Sequence, residues 1–378
     1  MKNRVAITRC GKYDYSEIKK SMYLLIENSD FPDVKGKKVL VKPNILSDSK
    51  EEKNITTNPL VVKAVIEIVK ERGALTIWCG DSPGMPGPKF RGEGCGIWDV
   101  VNETGATWAD FSDGAIPTVF WNNVKAPQCR FLTEADIVIS VCKMKTHQLM
   151  YATGAVKNMF GTIPGLNKSP MHLYARSPEN FAKLILSIYK VHTPEYSVMD
   201  GIISMEGAGP ANGTLRQTGL LLASSSALAL DRAEAVLMGY DPKDIPILRE
   251  AEREEKGSTD AEYTLLDAQS EVIKDFRCVE KKKRGLINSL LLPFFTRFFD
   301  RKMAERRKAP ECIKEKCRRC RKCVDVCPAK ALTLAQDHIE IDTSKCIRCY
   351  CCQEMCPKKA IYNYRNPLTK IADVKFKV

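Results

Sequence analysis

The chain has 378 residues, 44% hydrophobic and 28% charged, an ordinary globular composition with room for two or three domains. Its formal charge of +13 is unevenly placed: residues 280–378 carry 25 Lys/Arg against 11 Asp/Glu, and the remainder carries 34 against 35. The split marks a domain boundary and predicts an acidic partner for the C-terminal part; with no DNA- or RNA-binding signature beside the charge, nucleic acid ranks last among partners.

Short apolar runs alternate with helical periodicity over the first 270 residues. "KKVLVKPNI" (37–45) reads as a buried strand. "NPLVVKAVIEIVKERG" (58–73) reads as a helix, with Asn58 as N-cap, Pro59 at the first position and Gly73 as the stop. "ALTIWCGDSP" (74–83) is the next strand, and "ADIVISVCKMKTH" (135–147) is a strand running into a polar loop. "PENFAKLILSIYKVH" (178–192) is a further helix. "YSVMDGI" (196–202) and "GLLLASSSALAL" (219–230) are two more strands, the second followed by the helix "DRAEAVLMGY" (231–240). This alternation predicts an α/β domain with a mainly parallel sheet and helices on both faces, spanning residues 1–275.

In such sheets ligands sit beyond the carboxyl ends of the strands, and the polar residues fall there. Lys42 and Asn44 follow the first strand, and Asp81 and Ser82 the next. Lys143, Lys145, His147, Lys157 and Asn158 follow the third, and Asp200, Glu206 and a glycine-rich turn come later. If these surround one cleft, lysines with backbone N–H groups suit a small anionic ligand such as a phosphate or carboxylate. In that reading Lys42, Asn44, Lys143, Lys157 and Asn158 bind, while Lys145, His147 and Asp81 do the chemistry. A lone loop charge is more often merely solvated, and His147 is as well explained as a hydrogen-bonded structural histidine. The glycine-rich stretches lack a dinucleotide-binding context, and neither a Gly-Lys-Ser/Thr phosphate loop nor a Gly-x-Ser-x-Gly elbow occurs.

The segments "VLVKPN", "TTNPLVVKAVIEIVKERG", "GDSPG", "CKMKTHQLMYATGAVKNMFGTIPG" and "DGIISMEGAGPANG", in that order, resemble the family called domain of unknown function 362. The resemblance covers roughly residues 1–250. It implies a site that includes Lys143, Lys145, His147, Lys157 and Asn158, and often a C-terminal two-cluster ferredoxin module. It leaves the reaction open.

A connector, residues 276–309, contains "KKKRGLINSLLLPFFTRFFDRKMAERRK" (281–308). Its apolar residues recur at i, i+3, i+4 spacing between basic ends. The expectation is a basic amphipathic helix, interrupted at Pro293, that docks on the α/β domain, makes peripheral contact with an anionic membrane or offers a surface to a partner protein. Its apolar stretch is too short to span a bilayer.

Residues 310–378 hold the decisive pattern. Cys317-x2-Cys320-x2-Cys323-x3-Cys327-Pro328 recurs 29 residues later as Cys346-x2-Cys349-x2-Cys352-x3-Cys356-Pro357. The chain has sixteen cysteines, and "MKNRVAITRCGKYDYSE" at the N-terminus has no apolar signal core. Reduced, metal-binding thiols in a cytoplasmic protein are therefore expected, not disulfides. The spacing turns three thiolates onto one iron cubane and sends the fourth, before proline, to the other. One 4Fe-4S cluster is thus assigned to Cys317, Cys320, Cys323 and Cys356, and a second to Cys346, Cys349, Cys352 and Cys327. The region resembles bacterial two-cluster ferredoxins. Four-cysteine zinc sites usually pair two separated hairpins and fit less well.

Arg318, Arg319, Arg321, Lys322 and Arg348 lie between ligands, where they either offset cluster charge and steer an acidic redox partner or are merely solvated. Cys351 and Cys312 read as spare thiols. The expected function is an iron–sulfur oxidoreductase, or an electron-transfer protein, passing electrons through two 4Fe-4S clusters to the α/β cleft. The alternative is a ferredoxin-like carrier whose α/β domain binds a ligand without chemistry.

Overall fold

Strands buried along their whole length need cover on both sheet faces, and helices provide it here. The computed structural model describes residues 3–50, 53–86, 90–255, 261–266, 273–279 and 308–363. The chain divides into two units, Met1–Lys168 with Pro178–Lys281, and Ser169–Ser177 with Lys282–Val378. Residues 281–307, and with them the expected amphipathic connector, lie outside the described residues.

The strands of the first unit are β1 (Asn3–Arg9), β2 (Lys38–Pro43), β3 (Thr76–Cys79), β4 (Thr107–Trp108), β5 (Ile116–Phe120), β6 (Val124–Gln128), β7 (Ile137–His147), β8 (Tyr151–Ala152), β9 (Tyr196–Glu206), β10 (Thr214–Ser224) and β11 (Ala261–Leu265). The main sheet runs β11-β1-β10-β9-β7-β2-β3-β4, and β8 pairs with β7 off this row. Along the row only β10 is antiparallel to its neighbours, β1 and β9. The strand β5 pairs with β6 in a separate antiparallel hairpin. From β2 the chain builds outward through β3 to β4, whereas from β7 it builds the other way, to β9. The winding therefore reverses between the adjacent strands β2 and β7, and such a reversal opens a crevice at the strands' carboxyl ends.

Helices accompany these strands: α1 (Tyr15–Glu27), α2 (Pro59–Glu71), α3 (Ile97–Thr104), α4 (Phe131–Glu134), α5 (Gly154–Asn158), α6 (Lys168–Tyr174), α7 (Pro178–Tyr189), α8 (Ala227–Leu237) and α9 (Pro246–Glu255). The α2 helix starts as its sequence predicts, with the Asn58 side chain accepting from Leu60 N–H at 2.9 Å and Pro59 at the first position. It buries Val61, Val65, Ile68 and Val69 in a core shared with Val39 and Val41 of β2 and Ile137, Ile139 and Val141 of β7. Each such side chain is worth roughly 1.5–3 kcal/mol of hydrophobic burial.

Two expectations need correction. The strand expected over 219–230 ends at Ser224, and the helix expected over 231–240 is α8, starting at Ala227. In "SSSALAL" the last serine, Ser226, is a cap: its side chain accepts from Ala229 N–H at 3.3 Å and turns the following Ala-Leu pairs into a first helical turn. The strand β7 ends at His147, where the sequence places its end, and is buried throughout. Further, β1, α1, α3 and the β5–β6 hairpin have no counterpart among the predicted elements.

The second unit contains β12 (Glu311–Cys312), α10 (Lys322–Asp325), β13 (Leu332–Leu334), β14 (Ile339–Ile341), α11 (Cys351–Glu354) and β15 (Ile361–Tyr362). The strands β13 and β14 form one antiparallel pair, and β12 and β15 the other. The 29-residue repeat persists in the backbone. Positive φ occurs at Arg319 and Arg348 (53° and 58°), at Arg321 and Tyr350 (62° and 65°), and at Lys330 and Lys359 (49° and 51°). These left-handed residues make each loop turn back on itself.

Candidate functional site

In the second unit a small cavity is lined by Cys317, Cys320, Cys323 and Cys356, together with Arg318, Arg319, Lys358 and Pro357. Three of these cysteines come from the first copy and the fourth from the second, the crossed set that the spacing predicts. After each Cys-Pro the backbone turns an N–H onto sulfur: Ala331 N–H donates to Cys327 Sγ at 3.3 Å and Ala360 N–H to Cys356 Sγ at 3.2 Å.

The cysteines of the second copy also crowd one another and those of the first. Burial, and then the nearby Cys349, Cys346 and Cys327, push the Cys352 thiol well above its ordinary value. Burial, then Cys356 and Cys320, push Cys323 up to about 12. Thiols crowded so that each opposes ionisation of the next suit a cationic iron core, which draws off their protons. Among the described residues, no three His, Cys, Asp or Glu side chains converge on a single ion. Cys317, Cys320, Cys323 and Cys356 line one space, an arrangement that suits a polynuclear cluster. Cys312 and Cys351 sit against ligands: Cys317 and Cys356 act on the thiol of Cys312, and Cys349 on that of Cys351.

In the first unit the candidate residues form two groups. Successive strand residues point to opposite faces. Lys42 pairs in register with Ser140, while Val41 pairs with Ile139 on the face that packs against α2. On the Ser140 face, Lys42 Nζ lies 2.8 Å from Asp81 Oδ1, both groups buried. The same ammonium donates to Asn158 Oδ1 at 3.1 Å, and Asn158 Nδ2 donates to Ser140 Oγ at 3.0 Å. A Cβ on Gly161 would fall 2.2 Å from Asp81 Oδ1 and 2.7 Å from Lys42 Nζ, so only glycine lets the chain pass this ion pair. Lys168 Nζ donates to the Ser82 carbonyl at 2.7 Å. Burial, helped by the charges of Lys42 and Lys157 and opposed by Asp81, pushes the Lys168 ammonium down to about 7. Lys168 had no sequence signal. It sits in "LNKSPM", and only folding brings it to Ser82.

On the opposite face, Lys143 Nζ lies 2.8 Å from Asp200 Oδ2, again fully buried, and donates to the Tyr13 hydroxyl at 2.6 Å. The Asp200 carboxylate also accepts from Tyr13 Oη at 2.9 Å and from Asn58 N–H at 3.0 Å. Lys145 Nζ donates to Asn44 Oδ1 at 2.6 Å and to the Ile55 carbonyl at 2.7 Å. His147 Nδ1 accepts from the N–H groups of Leu149 and Met150 at 3.1 and 3.2 Å, the contacts of a residue that shapes a turn. The structure thus brings Lys42, Asp81 and Asn158 together, and separately Asn44 with Lys145, and Lys143 with Asp200. The Pro43–Ile45 turn joins the two faces, because Asp81 Oδ2 accepts from Ile45 N–H at 2.6 Å while the Asn44 side chain meets Lys145.

Sequence reading also missed two acids on α8. The Asp231 carboxylate accepts from Ala155 N–H and, at 3.0 Å, from Val156 N–H, holding the start of α5. Glu234 is fully buried, with the backbone of Lys145 close to its carboxyl group. Burial, and then the charge of Asp231, push Glu234 well above the carboxylate range; burial raises Asp231 against the pull of its two N–H donors.

A cysteine cradle in one unit and a largely parallel α/β sheet in the other define an iron–sulfur protein with a separate α/β unit. Residues 316–360 match the 4Fe-4S dicluster domain, which supports 4Fe-4S binding and a role in electron transfer. Residues 39–235 match the family described as Domain of unknown function (DUF362), and the chain belongs to that family. It is 31% identical over 274 residues to the thylakoid-associated protein sll1697 of Synechocystis sp., covering 70% of this chain and 84% of that one. Among solved structures it is similar to the lactate racemase apoprotein from Thermoanaerobacterium thermosaccharolyticum, with TM-score 0.43, 10% identity, and coverage of 62% of this chain and 56% of that one. A Thermotoga maritima protein matches with TM-score 0.36 and 15% identity, over 52% of each chain. The chain thus spans little more than half the length of either solved structure. Among the described residues, no helix is long and apolar enough to cross a membrane.

Proposed function

We propose that the chain is an iron–sulfur oxidoreductase that holds two 4Fe-4S clusters and binds a small anionic substrate at the reversal between β2 and β7. When bound, the clusters would supply one-electron transfer. Cys317, Cys320, Cys323 and Cys356 would hold one, and Cys346, Cys349, Cys352 and Cys327 the other. The observation that carries the substrate site is topological: the winding reverses between β2 and β7, and their carboxyl ends bear Lys42, Asn44, Lys143, Lys145 and His147.

In this reading Lys157 attracts the anion, with Lys42 and Asn158 behind it. Lys143 and Asn44 hold the floor of the site, and Lys145, His147 and Asp81 position and move protons. A reducing, cytoplasmic setting and an acidic redox partner are part of the proposal. Peripheral attachment to an anionic membrane is the variant that the relative's thylakoid association brings to mind.

A second reading has its own support. Lys42 is closed on Asp81 and Lys143 on Asp200, so two of the proposed cations are already neutralised. The chain would then be an electron carrier whose α/β unit binds a ligand without chemistry. Anaerobically reconstituted protein separates the two. Cluster reoxidation by candidate anionic oxidants should slow in Lys145→Ala and His147→Ala if the site is catalytic. Unchanged reoxidation and unchanged ligand binding in both variants would remove the catalytic reading.

A further inference from the structure

The two cysteine loops share a backbone and differ in surroundings. From Cys317 to Val324 the first loop is exposed at Arg318, Arg319, Cys320, Arg321 and Lys322. In the equivalent stretch, Cys346 to Gln353, no residue is exposed. Tyr350 stands where the first loop has Arg321 and is 1% exposed, and Gln353 is 2% exposed. The chemistry changes with the burial. Four of the five non-cysteine positions from 318 to 322 and 324 are basic, whereas positions 347 to 351 and 353 hold a single basic residue, Arg348.

Reduction adds an electron to a centre already made negative by its thiolates. Nearby positive charge and solvent stabilise that added charge, while a buried shell with fewer positive charges opposes it. We infer that the two clusters are unequal. The one held by Cys317, Cys320, Cys323 and Cys356 has the higher potential and is the port through which electrons pass to or from an acidic one-electron partner. The one held by Cys346, Cys349, Cys352 and Cys327 is the lower-potential, shielded centre. This rests on the two-cluster reading above. Each step moves one electron between an external one-electron donor and a cluster, with no bond broken and no proton moved.

The test is a dithionite titration of the full-length, anaerobically loaded protein, followed by electron paramagnetic resonance, with iron measured first. Two waves of comparable size are expected. Arg318→Gln with Arg319→Gln should lower the first wave and leave the second in place; both side chains are exposed, so the fold should persist. Arg348→Gln should move only the second wave. A single wave in the unsubstituted protein, or an equal shift of both waves in the Arg318/Arg319 variant, would overturn the inequality. A preparation with iron for only one cubane overturns the two-cluster reading and this inference together, and the iron analysis tells that failure apart.

Discussion

The carboxylate of Asp231 occupies the space that a side chain on Gly154 would need. A Cβ there would lie 2.4 Å from the carboxyl carbon, and Gly154 has φ of +62°. Backbone sign and side-chain space thus both demand glycine at the entry to α5, the helix that carries Asn158 to Lys42. Gly154→Ala should destabilise the α/β unit by about 2–3 kcal/mol, read as a lower urea midpoint at unchanged m. A midpoint equal to that of the unsubstituted protein would mean that the Asp231 contact is dispensable.

The buried acids of α8 predict a pH dependence. Both Asp231 and Glu234 bind their protons more tightly when folded. The stability they contribute is complete below the unfolded carboxyl range, about pH 4, and is lost as pH rises through the elevated folded values. Urea midpoints of the α/β unit should fall from about pH 4 up through about pH 7, where Asp231 ionises in the folded chain. Glu234→Gln should flatten that fall and be the more stable protein at the alkaline end. An identical slope in the variant would assign the dependence elsewhere.

Lys42 and Asp81 form a buried pair, so removing one partner leaves the other unmatched. Lys42→Met and Asp81→Asn should each cost about 3–5 kcal/mol, and the double replacement by apolar residues much less than their sum. Additive losses in this double-mutant cycle would show that the pair is not energetically linked.

Lys168 should behave as an unusual amine. With its pKa near 7, a large share is neutral at pH 7.5, where ordinary lysines are charged. An NMR titration of the lysine side chains, assigned with Lys168→Met, should show Lys168 losing its proton near neutral pH, well before the exposed surface lysines. A Lys168 signal that titrates with theirs would contradict the lowered pKa.

Ligand and spare thiols should separate by iron content. Cys320→Ser should lose about half the iron and visible absorbance, while Cys351→Ser should keep both, although Cys351 lies between two ligands and is the more buried residue. Equal losses in the two variants would require a different ligand set.

Much of this was legible because local rules decide it. Asn58 and Pro59 start a helix wherever an apolar periodic run follows, and they do so here. The cysteine spacing implies a crossed cradle because two-residue gaps turn thiolates onto one side of a loop, and the cavity collects those four cysteines. Ser226 was misread because a serine inside an apolar run is compatible with a strand as well as a cap. Only the packing of α8 against the sheet chooses between them.

By itself the amino-acid sequence determined the class of fold, the iron–sulfur chemistry and the duplication, since each rests on periodicity or spacing within a few dozen residues. The tertiary structure alone decided which polar residues meet. Lys42 faces Asp81 while Lys143 faces Asp200 on the other side of the sheet, because alternation along a strand sends neighbours to opposite faces and only the strand order says what waits there. It also decided that two nearly identical cysteine loops differ in burial, a property of surroundings that no repeat can encode.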